Sequence, residues 1–301
     1  MALYAFDGTW NKDKPGSDKD TNVVWFRDTY QGTVFYREGV GTRFGILGRL
    51  VGGITGAGGR TRIKEALKAL KKSFKNGDTT IDIVGFSRGA ALAVHFANQI
   101  AKKGVKGFSG TPPIRFLGLW DTVPSFGVPG NTVDVGWDLN LPDNVAKCFH
   151  GLSLDERRHT FPLHRLEARM ADATEEGRLF EVWFRGVHSD VGGGNKNGGL
   201  SSIALNWMYQ SAIRAGVSLD LAVVARNAAR MDPAAPISNH SFDPIKNRFR
   251  VVRWNDTAHA SVQFRADTKN RAHNNPPDGV AKVDDAGNPA GTFTRTAAAN
   301  A

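Results

Sequence analysis

The most informative segment of the chain is residues 80–104, which read TIDIVGFSRGAALAVHFANQIAKKG. Residues 80–86 are rich in Ile and Val, which is typical of a buried strand, and residues 89–103 have the spacing of a helix that ends at a glycine. Between them stands Gly85-Phe86-Ser87-Arg88-Gly89, which matches the pattern G-x-S-x-G. A strand, a serine in a tight turn and a helix together predict a nucleophile elbow, with Ser87 as the candidate nucleophile. The alternative interpretation is a glycine-flanked turn serine without a function.

Further apolar runs alternate with helical patterns along the chain, as they do in βαβ units. The predicted strands are Leu3–Phe6, Val34–Tyr36, Ile114–Trp120, Leu179–Val187 and Phe249–Trp254, and the predicted helices are Thr61–Lys75 and Leu200–Ala215. Strands that are joined through helices run parallel, and the helices cover the faces of the sheet. The sequence therefore predicts an α/β fold of the α/β-hydrolase type, with a mostly parallel sheet and helices on both faces.

The domain organisation follows from glycine and proline usage. We expect one α/β-hydrolase domain over residues 1–264 and a flexible C-terminal surface tail over residues 265–301, which are rich in Asn, Pro, Gly and Ala. Residues 39–59 hold nine glycines, too many for a regular element, and we expect a loop or lid there.

Composition excludes several classes of protein. Hydrophobic residues make up 41% of the 301 residues, which excludes a disordered chain. No apolar run approaches about 18 residues, and the N-terminus lacks a basic region before an apolar one, so neither a membrane span nor a secretory signal is expected. Cys148 is the only cysteine, which excludes an intramolecular disulfide and a cysteine-rich zinc site. We expect synthesis in a reducing cytoplasm.

The chain is basic: 39 Lys and Arg against 29 Asp and Glu give a net charge of +10. This excess fits peripheral contact with an anionic membrane, and it fits solubility alone equally well. The predicted helix Thr61–Lys75 places most of its lysines off its apolar stripe, where they could meet lipid headgroups. Nucleic acid is not expected as a partner, because no basic stretch is interleaved with stacking aromatics.

A nucleophilic serine needs a base that takes its proton and an acid that orients the base. In α/β-hydrolases the chain order is serine, acid, histidine. Asp121 and His188 keep this order, and each follows an apolar strand, at the sheet edge where ligands bind. We therefore predict a triad of Ser87, Asp121 and His188. His259 is the competing base and Asp190 the competing acid.

An acyl-transfer site also needs hydrogen-bond donors for the oxyanion. One predicted donor is the backbone N–H of Arg88, and the other comes from Gly8 or Thr9 in the loop after the first strand. The histidines show no metal-ligand spacing, so we predict no metal site and no cofactor.

Five ordered motifs resemble one known family. They are Phe6-Asp7-Gly8-Thr9-Trp10-Asn11, Gly39-Val40-Gly41-Thr42, Gly85-Phe86-Ser87-Arg88-Gly89-Ala90, Gly118-Leu119-Trp120-Asp121-Thr122-Val123 and Val187-His188-Ser189-Asp190-Val191-Gly192-Gly193. Through these motifs, from about Leu3 to Trp254, the chain is similar to the DUF2235 hydrolase domain, the catalytic part of one class of bacterial type VI secretion phospholipase effectors.

The resemblance implies an α/β-hydrolase fold, lipase or phospholipase A chemistry, and a triad on Ser87, Asp121 and His188, in agreement with the spacing. It also implies export by a type VI system, with a secretion component or an immunity protein as partner. Residues 153–157 resemble a further family segment of structural or lid-associated character.

The leading hypothesis is a serine esterase or lipase that forms an acyl-enzyme on Ser87, with phospholipid as the favoured substrate. Two alternatives stay open at this point. One is a thioesterase or another acyl hydrolase that uses the same triad. The other is a catalytically silent module that binds an anionic membrane or nucleic acid, whose binding would be sensitive to salt and indifferent to Ser87→Ala.

Overall fold

A computed structural model describes residues 1–8, 20–38, 56–124, 136–166, 177–195, 198–238, 248–267 and 273–296. The strands are β1 (Ala2–Phe6), β2 (Thr33–Arg37), β3 (Ile81–Phe86), β4 (Ile114–Trp120), β5 (Cys148–Ser153), β6 (Leu179–Phe184), β7 (Thr257–His259), β8 (Ala281–Val283) and β9 (Pro289–Thr292). The helices are α1 (Asn22–Thr29), α2 (Gly56–Lys75), α3 (Arg88–Lys103), α4 (His188–Gly192), α5 (Gly199–Arg214) and α6 (Leu221–Ala228), with a 3₁₀ helix at Ala260–Arg265.

The nine strands form one sheet in the order β2-β1-β3-β4-β5-β6-β7-β8-β9. All neighbours pair in parallel except β8 and β9, which are antiparallel. The chain steps from β1 outward to β2 and then returns to place β3 on the other side of β1. The crevice at such a reversal of strand order, beyond the carboxyl ends of the strands, is where open α/β sheets bind ligands.

Helices cover both faces of the sheet, and the side chains of β1 show how. Tyr4 and Phe6 point to the face that packs under α2 and α3, whereas Leu3 and Ala5 point to the face under α1 and α5. This alternation is the two-residue period of a strand, and both faces are apolar because both are covered. The predicted fold class, a mostly parallel sheet with helices on both faces, is confirmed.

The structure differs from the sequence predictions in two segments near the C-terminus. Residues 249–254, predicted as a strand, form no strand: Val251 and Trp254 are exposed, and the carbonyl of Arg250 accepts from the Asn274 side chain instead of a ladder partner. Residues beyond 265, predicted as a surface tail, contribute β8 and β9 to the sheet, and Phe293 is buried there because it packs into an apolar cluster under β6 and β7.

Other sequence predictions differ from the structure or lie outside the described residues. The predicted strand Leu179–Val187 ends at Phe184, because Gly186 turns the chain with a φ of 110°. The predicted loop or lid at 39–59 lies outside the described residues except for its last four, which begin α2. No pattern in the sequence predicted β5, β7, α1, α4 or α6. No helix in the described ranges has the length and apolar character that a membrane crossing requires.

Candidate active site

The turn at Ser87 joins β3 to α3 in a conformation that L residues seldom adopt. Ser87 has a φ of 59° and a ψ of −126°, and its backbone N–H donates to the carbonyl of Trp120 at 3.0 Å. Such a backbone costs about 1–3 kcal/mol and persists where the surrounding structure imposes it, typically at functional sites. The predicted strand, sharp turn and helix are therefore present around Ser87.

The two glycines of the motif are required by close packing. A Cβ on Gly85 would lie 2.7 Å from the Cα of Ala90, and a Cβ on Gly89 would lie 2.2 Å from the carbonyl oxygen of Phe6. Neither contact could relax by a rotamer change, because the opposing atoms belong to the backbone. The absence of side chains at these positions lets α3 begin directly against the carboxyl end of β1.

Asp121 follows β4 and is fully buried. It is, with Ser87, one of the two non-glycine residues in the described part of the chain that have a positive φ, here 44°. Its Oδ2 lies 2.6 Å from His188 Nδ1, and its Oδ1 accepts from the backbone N–H of Ser153 at 2.9 Å and from the guanidinium of Arg250. The carboxylate is thus held on both oxygens.

His188 is the first residue of α4, just beyond β6, and is 5% exposed. Its ring lies against the rings of Phe86 and Phe161, at centroid distances of 4.6 and 4.9 Å. Its backbone N–H donates to Glu156 Oε2 at 3.2 Å. With Nδ1 bonded to Asp121, the ring is fixed in orientation and Nε2 is left for a substrate or a nucleophile.

Ser87 and His188 line one pocket of about 190 Å³. Its other lining residues are Gly8, Phe86, Arg88, Arg158, Phe161, Ser189, Gly193, Gly194 and Asn195. The described contacts include no hydrogen bond between the Ser87 hydroxyl and the His188 ring. In free enzymes the contact between nucleophile and base is often long and tightens when substrate binds.

The electrostatics of the pair suit a base and its orienting acid. Burial lowers the pKa of His188 and the bond to Asp121 only partly offsets this, so the ring is neutral at pH 7 and can accept a proton. Burial alone would raise the pKa of Asp121, but the charge of Arg250 and the bond to His188 outweigh burial and hold that pKa far below its ordinary value. Asp121 is therefore ionised at neutral and mildly acidic pH.

Two residues that hold Asp121 and His188 in place were not among the sequence predictions. Arg250 reaches Asp121 from 129 positions along the chain, and it also donates to Ser153 Oγ at 2.7 Å. Glu156 accepts from the backbone of His188 and from Arg158 Nη2 at 2.7 Å. Burial would raise the pKa of Glu156, but Arg158 lowers it to about 2. The sequence analysis connected residues 153–157 with the family only by resemblance and assigned Glu156 no role. No local sequence pattern indicated that Arg250 would contact Asp121.

The competing acid and base lie in other networks. Asp190 accepts from the backbone N–H groups of Val187 and Ser238, both at 3.0 Å, so it organises the turn that carries His188. His259 lies 3.2 Å from Asp285 and stacks on Phe184. Neither residue is among the described residues that line the Ser87 pocket.

A second hydroxyl-histidine-carboxylate chain lies inside the protein. Thr122 Oγ1 is 3.0 Å from His150 Nε2, and His150 Nδ1 is 2.9 Å from Glu181 Oε1. Thr122 and His150 are fully buried, so no substrate reaches them. These hydrogen bonds satisfy buried polar groups of β4, β5 and β6 and fix the backbone next to Asp121.

The three residues that were predicted as oxyanion donors differ in whether their backbone N–H groups are free. Within the described hydrogen bonds, none uses the backbone N–H of Arg88, which lies at the N-terminus of α3. The Gly8 N–H, a predicted donor, donates instead to the Asp7 carboxylate at 2.6 Å, so Gly8 has no free N–H for an oxyanion in this structure. Thr9 lies outside the described residues. Among the residues that are described, no group of three or more His, Cys, Asp or Glu could hold a metal ion.

Comparisons with known proteins give a family match. The family described as "T6SS, Phospholipase effector Tle1-like, catalytic domain" matches residues 3–109 and 102–211. No curated protein matches the chain.

Two solved structures are similar to the chain. An uncharacterised protein from Pseudomonas aeruginosa is 24% identical with a TM-score of 0.51, and the match covers 76% of this chain and 50% of that one. A Tle1 effector bound to the VgrG spike of the type 6 secretion system is 25% identical with a TM-score of 0.44, and the match covers 64% of this chain and 50% of that one. The matched region thus spans half the length of each of these two chains. At 24% identity, the likeness to the Pseudomonas aeruginosa protein shows the fold alone.

Proposed function

The chain belongs to the Tle1-like catalytic domains of type VI secretion phospholipase effectors, and on this premise we propose that it cleaves carboxylic esters of phospholipids, as a phospholipase A, through Ser87, His188 and Asp121. The observation that carries the proposal is the 2.6 Å contact of His188 with Asp121 beside a pocket that Ser87 shares. A strained serine, a neutral buried histidine and an ionised carboxylate are the groups that acyl transfer needs.

In the first half of the reaction, Ser87 Oγ attacks the ester carbonyl while His188 Nε2 accepts its proton. Asp121 stabilises the imidazolium that forms and keeps Nδ1 in the protonated tautomer. The tetrahedral oxyanion receives a hydrogen bond from the backbone N–H of Arg88, at the positive end of α3. Collapse of the intermediate passes the proton from His188 to the leaving alcohol and leaves Ser87 acylated.

In the second half, His188 takes a proton from a water molecule, whose oxygen attacks the acyl-enzyme. The carbonyl carbon passes through a second oxyanion that the same N–H group stabilises. The fatty acid leaves as the proton returns from His188 to Ser87 Oγ. The rings of Phe86 and Phe161 hold the imidazole in one plane through both halves, because they pack against it.

The test is hydrolysis of a p-nitrophenyl ester series, a thioester and a labelled phospholipid. We expect Ser87→Ala and His188→Ala to lower kcat by on the order of 10⁴-fold or more. His259→Ala is the matched control, since His259 is equally buried and paired with a carboxylate but lies in another network. An inert wild type, or an equal loss in His259→Ala, would contradict the proposal, and a preference for the thioester would move it to thioesterases.

We extend the proposal to transport, because the family is one of type VI secretion effectors. We propose that a type VI system exports this chain and that the chain binds a secretion component. Co-purification of the tagged chain with spike proteins of its own secretion system tests this. Recovery of the chain without any of them would contradict it.

A further inference from the structure

Arg88 is a partly buried cation for which the described residues supply no partner. Its Nε is enclosed and has no hydrogen-bond acceptor, and none of the described hydrogen bonds or ion pairs involves its guanidinium. Burial alone, with no offsetting acidic group, lowers its pKa to about 10, so the side chain still carries its charge at pH 7. Buried polar groups are nearly always paired, and an exception calls for an explanation such as a missing ion.

The two neighbouring arginines of the site are neutralised. Arg158, which lines the same pocket, lies 2.7 Å from Glu156 and stacks on Phe161 at 3.7 Å. Arg250 lies against Asp121. Among the described residues that line the pocket, Arg88 is thus the cation whose charge no carboxylate balances.

An uncompensated guanidinium in a confined pocket favours an anion there. Its charge is poorly solvated, so an incoming anion gains more than it would at an exposed arginine. The planar fork of a guanidinium matches two oxygens of a phosphate and binds them with two parallel charged hydrogen bonds. A neutral ester, by contrast, would leave the charge unpaired.

We propose that the Arg88 side chain binds the phosphate group of the substrate and so positions a phospholipid ester at Ser87. The inference rests on the proposed function and names the part of the substrate that the site recognises. Arg88 follows the nucleophile directly, and in a glycerophospholipid the phosphate lies only a few bonds from each ester carbonyl. Arg88 would then contact the substrate at two places. Its backbone N–H would donate to the oxyanion, and its guanidinium would bind the phosphate.

The first experiment compares two substrates with the same short acyl chains, a soluble phosphatidylcholine and the corresponding diacylglycerol. Arg88→Gln should lower kcat/KM for the phospholipid by about tenfold or more relative to the diacylglycerol, because only the former has the phosphate. Arg88→Lys, which keeps the charge but not the fork, should lose less. Lys106→Gln removes one exposed charge from the loop after α3 and should leave the ratio unchanged.

The second experiment measures binding without turnover. Inorganic phosphate and glycerophosphate are titrated into the Ser87→Ala protein, with and without Arg88→Gln, and followed by ³¹P NMR. Glycerophosphate should bind more tightly than inorganic phosphate if the site recognises a lipid headgroup, and equal affinity would indicate a site for free phosphate. Both affinities should fall by about tenfold or more in Arg88→Gln.

The two arms separate the two proposals. An unchanged substrate ratio together with unchanged phosphate affinity in Arg88→Gln would overturn the role of Arg88 while ester hydrolysis stands. A wild type that hydrolyses neither substrate but loses phosphate binding in Arg88→Gln would overturn the proposed function and leave the anion site. Thermal unfolding of each variant identifies a folding failure, and Arg88→Lys then decides in its place.

Discussion

Arg250 is the residue whose removal shows how the acid of the site is held. Its guanidinium donates to Asp121 Oδ1, to Ser153 Oγ at 2.7 Å and to the carbonyl of Phe161 at 3.1 Å. Arg250→Met removes these donors and keeps an apolar chain of similar length, in a place where the arginine side chain is 9% exposed. The Asp121 carboxylate then stays buried without its cation.

The expected loss of stability is large. Removal of one partner of a buried ion pair costs about 3–5 kcal/mol, because the other charge stays desolvated. A folded chain of 301 residues has an unfolding entropy of about 0.6 kcal/mol/K near its Tm. The Tm of Arg250→Met should therefore fall by about 5–8 °C at pH 7.

The size of this loss should depend on pH. The pKa of Asp121 in the folded protein is far below the unfolded value of about 3.9, since the charge of Arg250 and the bond to His188 outweigh burial. A depressed pKa stabilises the fold above the unfolded pKa, and that contribution is lost as pH falls through the folded pKa. Without Arg250 the folded pKa rises, so the Tm difference should be full above about pH 5 and should narrow below about pH 4.

The assay is thermal unfolding followed by circular dichroism from about pH 3 to pH 8, together with ester kinetics. We expect kcat to fall by on the order of 10- to 100-fold, because Asp121 orients His188 less precisely, with a smaller change in KM. Arg253→Met, an exposed arginine of the same segment, is the matched control. A Tm difference that is the same at both ends of the pH range, or equal effects of the two substitutions, would refute the reasoning.

Two further predictions concern the base and the turn. Burial lowers the pKa of His188, and the proposed mechanism uses the neutral ring as the base. We therefore expect kcat/KM to rise with pH through an inflection below 6.5 and to be level at neutral pH; a pH–rate profile with an inflection above 6.5 would contradict this. Gly89→Ala places a Cβ 2.2 Å from the Phe6 carbonyl oxygen and should cost about 3 kcal/mol in the free energy of unfolding, with loss of activity. Gly151→Ala, whose Cβ would meet side chains at 3.5 Å, is the control in urea unfolding, and equal stability of the two variants would show that the elbow tolerates a side chain.

The elements that the sequence predicted are those with a clear period or a clear boundary. β3, α3 and β4 agree with their predictions to within a residue, since each combines an apolar pattern with a turn at its end. β5 gave no such signal, although all six of its residues are buried, because polar side chains interrupt the apolar pattern. One of them, His150, is buried with Glu181 and Thr122 as partners that lie far away in the sequence.

The candidate site likewise has residues that the sequence predicted and contacts that it did not predict. The strand ends and the chain order predicted that Ser87, Asp121 and His188 lie at one edge of the sheet. The structure brings His188 and Asp121 into contact. The same reasoning gave Gly8 an oxyanion role that its bond to Asp7 contradicts, because a backbone pattern does not show which acceptor takes an N–H group.

By itself, the sequence determined the strand-turn-helix around Ser87, because neighbouring residues carry everything that the turn requires: a strand that leads in, glycines where backbones touch, and a helix that leads away. Only the tertiary structure decided which charges meet. It pairs His188 with Asp121, places Asp190 in a turn and brings Arg250 to Asp121 across 129 positions. It also leaves Arg88 without a counter-ion among the described residues. The physical reason is range: steric constraints on a turn act between neighbours in the chain, whereas ion pairs depend on distances that exist only after the sheet has formed.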